Sequence, residues 1–472
     1  MRPANTIEIG LKDHSMMLID AEGHQLKELS EYFSFFVPGH RYMPAFKRRV
    51  WDGKIRLFNQ MTRELNVGLY PHIKKFALDR MYPIQLVDND EYGHPEVKNK
   101  IQHKSLIKYL DSLDAPFEIR DYQYDAISHG IENKRCLLLS PTGSGKSFII
   151  YNLLRWYYDN HDKKMLVIVP TTSLVEQLYK DFYEYGFDVD NEVHRIYSGK
   201  DKVTDKRIII STWQSIYRLK FDWFEQFGAV FGDEVHLFKA KSLTGVMNKC
   251  KNAEYRFGTT GTLDGTETNK LVLEGLFGLT HKVIATRDLQ VRGTLAGLDI
   301  NVLLLRYHND VCHMMKGKTY AEEVDYIVRH EKRNNFIKNM TLDLKGNTLV
   351  LFQFVEKHGK ELFEIIKKDA DKDRKVFYVS GEVDAKDREQ IRGIVETQKN
   401  AIIVASLGTF STGINIKNLH NIVFASPSKS QIKVLQSIGR GLRQSDDGSN
   451  TTLYDIAAVS YTHLTLPTSD LV

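Results

Sequence analysis

The eight residues Ser140-Pro-Thr-Gly-Ser-Gly-Lys-Ser147 constrain this chain more than any other segment. They follow a short apolar run, residues 136–139, and open a longer one, SFIIYNLL, with helical spacing. Strand, glycine-bearing loop and helix in that order make a phosphate cradle. Small residues let backbone N–H groups approach, and the helix N-terminus adds the positive end of its dipole. Thr142, Gly143, Ser144 and Gly145 would wrap the phosphates of ATP, Lys146 would neutralise their charge, and Ser147 would hold Mg²⁺ through its hydroxyl. Ser140 replaces the first glycine of the general pattern with another small residue. A chance Gly/Ser turn is the bland alternative, and a complete Gly-Lys-Ser in this setting argues against it.

The pattern around the loop sets the fold class. Residues 136–139, 165–169, 207–211, 229–231 and 255–258 read as short buried strands, with helical spacing at 147–158 and 173–185 between them. Such alternation predicts a parallel sheet covered by helices on both faces. It recurs without a phosphate loop: strands at 348–354, 375–379, 401–405, 421–425 and 452–455, helices at 356–368, 384–398 and 430–442. The expected architecture is α/β, with two tandem parallel-sheet domains behind a small α+β module. That module has strands at 7–11, 16–19 and 54–58 and a helix at 24–33. We divide the chain into 1–95, 96–285, 286–456 (a linker plus the second sheet) and a tail, 457–472. The tail is rich in Ser, Thr and Leu without periodicity and is read as foreign to the fold.

Two further motifs bear on chemistry. Asp233-Glu-Val-His236 follows the apolar run 229–231. Asp233 would hold Mg²⁺, and Glu234 would polarise an attacking water. As a lone tetrapeptide it says little; downstream of a phosphate loop it says much. Gln436-Ser-Ile-Gly-Arg-Gly-Leu-Arg443 places Arg440 and Arg443 on one face of the helix expected at 430–442. A guanidinium reaching γ-phosphate from a second domain stabilises transition-state charge. Standing alone, the pair would be a solvated basic face.

Together these motifs resemble the superfamily 2 helicases of the DExH type. In that resemblance, Arg120 and Gln123 of Arg120-Asp-Tyr-Gln123 fall on the adenine-reading element, and Gln436 and Gly413 join the nucleotide site. Thr172, Thr212 and Thr412 fall near the tracked strand's phosphates, and Thr259-Thr-Gly-Thr262 takes the place of the coupling motif in a form other than Ser-Ala-Thr. The N-terminal run, the GTTGT sequence and the run KGKTYAEEVDYIVRHEKRN resemble most the UvsW-type helicases of T-even phages. The resemblance implies an ATP- and Mg²⁺-dependent motor on forked, junction or single-stranded DNA or RNA–DNA hybrids, moving 3′ to 5′ in the host-cell cytoplasm. It also implies a monomeric motor that cooperates with single-strand-binding or recombination proteins.

Between residues 39 and 58, Arg41, Lys47, Arg48, Arg49, Lys54 and Arg56 interleave with Tyr42, Phe46, Trp51 and Phe58. Cations meet phosphates and aromatics stack on bases, so Arg41, Lys47, Arg48, Arg49 and Trp51 are candidate nucleic-acid contacts. A hairpin with core aromatics and solvated charges is the equal alternative from composition alone. The net charge of +5 permits a polyanionic partner without requiring one. No apolar run reaches membrane length, and Cys136, Cys250 and Cys312 stand apart, as reduced thiols do. The competing readings are an RNA helicase, a restriction-type duplex translocase, an ATP-binding sensor and a metabolic kinase. Intact Lys146, Glu234 and Arg440 argue against the sensor, and the arginine pair in a second α/β block argues against the kinase.

Overall fold

The structure, a computed structural model, describes residues 5–87, 92–96, 98–197, 199–237, 240–263, 267–383, 385–413, 418–427 and 450–459. The chain divides into two compact units, residues 1–140 with 144–284 and residues 141–143 with 285–472. Among the described residues no helix is long and apolar enough to cross a membrane.

In the first unit an N-terminal sheet is ordered Glu64–Asn66, Met16–Asp20, Ile7–Leu11, Ile84–Leu86. Strict alternation in Ile7–Leu11 turns Ile7, Ile9 and Leu11 inward, under the helices Gly23–Tyr32 and Tyr70–Asp79. The strand Lys54–Arg56 is shorter than the sequence suggested and pairs antiparallel with Ser34–Phe36, away from this sheet. The core of the module takes in Leu271 from the helix Glu267–Phe277, so module and motor share one apolar interior. Gly68 makes that approach possible, because a Cβ there would lie 2.0 Å from the Glu274 carbonyl oxygen.

The motor sheet of this unit has seven parallel strands, ordered Thr280–Lys282, Arg135–Leu139, Tyr255–Thr260, Phe227–Gly232, Lys164–Val169, Ile208–Thr212 and Val193–Ile196. Its inner strands are buried on both faces, which is why they read as unbroken apolar runs.

The second unit carries a six-stranded parallel sheet, ordered Leu298–Arg306, Thr451–Val459, Asn421–Phe424, Thr348–Phe352, Ile402–Ser406, Val376–Val379. Two features differ from the sequence reading. The linker contributes a nine-residue edge strand, Leu298–Arg306, in register with Thr451–Val459. The last strand therefore runs to Val459, three residues into the stretch set apart as tail; residues 460–472 lie outside the described residues.

Candidate functional site

Loops at the carboxyl edge of a parallel sheet point the same way and gather side chains from distant sequence. Here the loop after Arg135–Leu139 and the turn after Phe227–Gly232 flank the strand Tyr255–Thr260. Gly145 holds φ +82° as N-cap of the helix Lys146–Asn160, a left-handed conformation that suits glycine and turns the chain into the helix. The loop is braced from below. Ser140 and Ser144 hydroxyls meet at 2.6 Å, and the Gln123 side-chain amide donates to the Ser144 carbonyl at 2.9 Å. The Gln123 carbonyl oxygen accepts from the Arg120 backbone N–H, and the Arg120 guanidinium donates to the Tyr122 hydroxyl at 2.8 Å. Both ends of the Gln123 amide are thus engaged, and its contact is with the loop backbone.

The acidic motif meets this loop directly. Lys146 Nζ lies 3.4 Å from Glu234 Oε1, with both side chains largely buried. Glu234 sits at φ +49°, a left-handed conformation that costs a residue with a Cβ and here aims its carboxylate at Lys146. Asp233 Oδ1 accepts from the Glu234 backbone N–H at 2.9 Å and from the Thr259 hydroxyl at 2.7 Å. Thr260 gives its hydroxyl proton to the Thr262 carbonyl, so His236 Nδ1 is the donor in its 2.6 Å contact with Thr260 Oγ1. One strand end therefore holds both Asp233 and His236. Sequence placed these four residues in two separate motifs and did not show the bonds that join them.

Burial pushes the Asp233 carboxyl up to about 6, the Glu234 charge adds to the rise, and Lys146 and the Thr259 hydroxyl oppose it. The folded chain thus binds this proton more tightly than the unfolded one. Stability falls as pH rises from the ordinary carboxylate range to about 6, and the full penalty stands above it. Asp233→Asn keeps an acceptor oxygen and removes the charge. At pH 7 without metal it is expected to raise stability by roughly 1–3 kcal/mol, and at pH 4 by almost nothing. Thermal melts at the two pH values check this; equal shifts at both would assign the penalty elsewhere.

The donor set fits Mg²⁺: a carboxylate and a hydroxyl, both hard oxygen ligands, beside a phosphate cradle. Ser147 is the second residue of the helix Lys146–Asn160, and its Oγ lies 2.9 Å from the Tyr185 hydroxyl.

Other expected residues are more dispersed. Thr172 is exposed at the start of the helix Thr172–Glu184, whose cap is Thr171. Thr212 is buried, with its hydroxyl 2.8 Å from Ser215 Oγ. Thr412 and Gly413 close the helix Leu407–Gly413. Gln436, Arg440 and Arg443, and the helix expected at 430–442, lie outside the described residues. In the N-terminal loop, Arg41, Lys47, Arg48 and Arg49 are exposed, whereas Trp51 is half-buried and spends its indole N–H on the Lys54 carbonyl. Tyr42 stands 81% exposed on the same loop.

A phosphate loop, an adjoining acidic turn and a threonine-tipped strand on one parallel sheet, followed by a second parallel sheet, define the two-motor class of superfamily 2 helicases. Residues 116–265 match the family described as type III restriction enzyme, res subunit; residues 331–445 match the helicase conserved C-terminal domain; residues 6–88 match DNA helicase UvsW, N-terminal. The ATP-dependent DNA helicase uvsW of Enterobacteria phage T4 is 36% identical over 469 residues, spanning 95% of this chain and 90% of the T4 protein. The crystal structure of T4 UvsW is 34% identical with a TM-score of 0.55, covering 98% of this chain and 92% of that one. The DNA 3′–5′ translocase XPB2 of Sulfurisphaera tokodaii is 24% identical over 231 residues, 49% of this chain and 45% of that protein. The chain belongs to the UvsW family of ATP-dependent DNA helicases.

Proposed function

We propose that this helicase spends ATP to remodel branched DNA, regressing forks, migrating four-way junctions and unwinding R-loops or D-loops, with 3′ to 5′ movement. The observation that carries the reading is the union of the N-terminal module with the ATP-site motor. A cationic loop with an outward aromatic belongs to the same unit as Lys146, Asp233 and Glu234.

In the ATP site, Lys146 and the loop Thr142, Gly143, Ser144 and Gly145 bind and orient the phosphates, and Gln123 braces the loop from Ser144. Ser147 and Asp233 would hold Mg²⁺, which would supply positive charge to the nucleotide phosphates. Glu234 takes the proton of the attacking water, its carboxylate aimed by the left-handed turn. Arg440 and Arg443 are assigned to the transition-state charge, and Gln436 and Gly413 to the nucleotide. Thr172, Thr212 and Thr412 are assigned to the tracked strand. For Thr212 the role requires its hydroxyl to leave Ser215. The protein works as a monomer in the host-cell cytoplasm, together with single-strand-binding or recombination proteins.

Steady-state ATP hydrolysis tests the reading with no nucleic acid, single-stranded DNA, forked DNA, a four-way junction, an RNA–DNA hybrid and duplex RNA. Strongest stimulation by forks and junctions is expected. Stimulation by RNA alone would replace the reading with an RNA helicase.

The loop makes a separate prediction. Arg41, Lys47, Arg48 and Arg49 contact backbone phosphates, so their joint replacement by Ala lowers the slope of log affinity against log salt by about 3–4. Tyr42→Ala leaves that slope unchanged and weakens fork binding several-fold, while Trp51→Ala acts through loop stability. A Trp51 effect on forks without any change in melting would reverse the two roles.

A further inference from the structure

The Ser147 hydroxyl, 2.9 Å from the phenol oxygen of Tyr185, has a partner that no motif of this chain includes. Tyr185 follows the helix Thr172–Glu184 and is buried. Its ring packs at 5.0 Å from Phe148 and 5.1 Å from Tyr151, both on the helix that begins at Lys146. The Tyr151 hydroxyl donates to the Tyr185 carbonyl at 3.2 Å, which fixes the backbone as well. The phenol oxygen is therefore a rigid partner set 38 residues along the chain from the serine it touches.

A serine hydroxyl has three staggered rotamers and one proton to place. When its oxygen ligates a divalent cation, a lone pair faces the metal and the proton must go elsewhere. An acceptor already in position selects the productive rotamer, and polarisation by the cation strengthens that hydrogen bond.

We propose that Tyr185 is a positioning residue for the metal-binding hydroxyl, accepting the Ser147 proton so that an oxygen lone pair is presented to the cation bound with the nucleotide. The inference rests on the reading of Ser147 as a Mg²⁺ ligand. Tyr185 touches neither metal nor nucleotide in this scheme; it acts through Ser147. The phenol oxygen and the aromatic ring have separate duties, one polar and one of packing, and Tyr185→Phe separates them.

The test is a Mg²⁺ titration of fluorescent ADP-analogue binding to the full chain, with Tyr185→Phe, Ser147→Ala and the double variant. Tyr185→Phe is expected to raise the Mg²⁺ concentration for half-saturation roughly 3–10-fold, as the loss of one polar contact allows. Metal-free analogue binding and the melting temperature stay at wild-type values. In the Ser147→Ala background the tyrosine change has no further effect. A wild-type Mg²⁺ dependence in Tyr185→Phe, alongside a shifted one in Ser147→Ala, would overturn the positioning role and leave Ser147 as a ligand. Equal losses with and without Mg²⁺, or additive effects in the double variant, would reduce Tyr185 to packing. Should Ser147→Ala leave the Mg²⁺ dependence untouched, the ligand reading falls, and this inference with it.

Discussion

Glu234→Gln is expected to lower ATP turnover by about 10²- to 10⁴-fold while leaving nucleotide affinity within a few-fold of wild type. The amide has the size of the carboxylate and the same left-handed backbone turn to present it, but it cannot take a proton from water. It also removes the anionic partner of Lys146 at 3.4 Å, which frees the ammonium for phosphate rather than weakening the cradle. Lys146→Ala gives the complementary pattern: the phosphate neutraliser is lost, so affinity and turnover fall together. Single-turnover hydrolysis, with fluorescent-nucleotide binding measured in parallel, separates the two. Near-wild-type turnover in Glu234→Gln would place the base elsewhere, and persistent turnover in Lys146→Ala would sink the site assignment as a whole.

What made these residues legible was contiguity. The phosphate loop and the acidic motif are short local patterns in a strand–loop–helix setting, so their geometry follows from neighbouring residues alone. The contacts that join them were not legible. Thr259 and Thr260 reach Asp233 and His236 only because the strand Tyr255–Thr260 lies between the other two, and strand order is a long-range property. The edge strand Leu298–Arg306 escaped for the same reason, since its partner Thr451–Val459 comes some 150 residues later in the chain and no turn signal links them. In the N-terminal loop, composition singled out Trp51, but it could not show that the Lys54 carbonyl accepts the indole N–H and leaves that ring half-buried while Tyr42 stands exposed. Even within a legible helix the start moved: residues 355–359 form a wide turn, with Gly359 packed on Phe352, and the helix proper is Lys360–Asp369.

Arg256→Met is expected to destabilise the N-terminal module and the first motor together, by roughly 3–5 kcal/mol, or on the order of 10 °C in melting temperature. Arg256 is the second residue of the strand Tyr255–Thr260, whose far end holds Asp233 and His236, and it is fully buried in the sheet. Its guanidinium donates to the carbonyls of Ala253 at 2.9 Å, Cys250 at 2.6 Å and Met247 at 3.3 Å. The same group donates at 2.6 Å to the Ser15 hydroxyl of the module, which in turn donates to the Met247 carbonyl. Methionine fills much of the volume but removes all four of these bonds from a buried site, though the Met247 and Cys250 carbonyls keep backbone donors. Lysine, with one compact ammonium, cannot span four acceptors and should recover only part of the loss. Calorimetry of the wild type should show module and motor melting in one transition, because the Leu271 contact and the Arg256 bonds cross between them. A fall confined to the module, with the motor's transition unmoved, would make the module an appendage. A single shifted transition would instead make it part of the motor's own core, in the same unit as Lys146, Asp233 and Glu234.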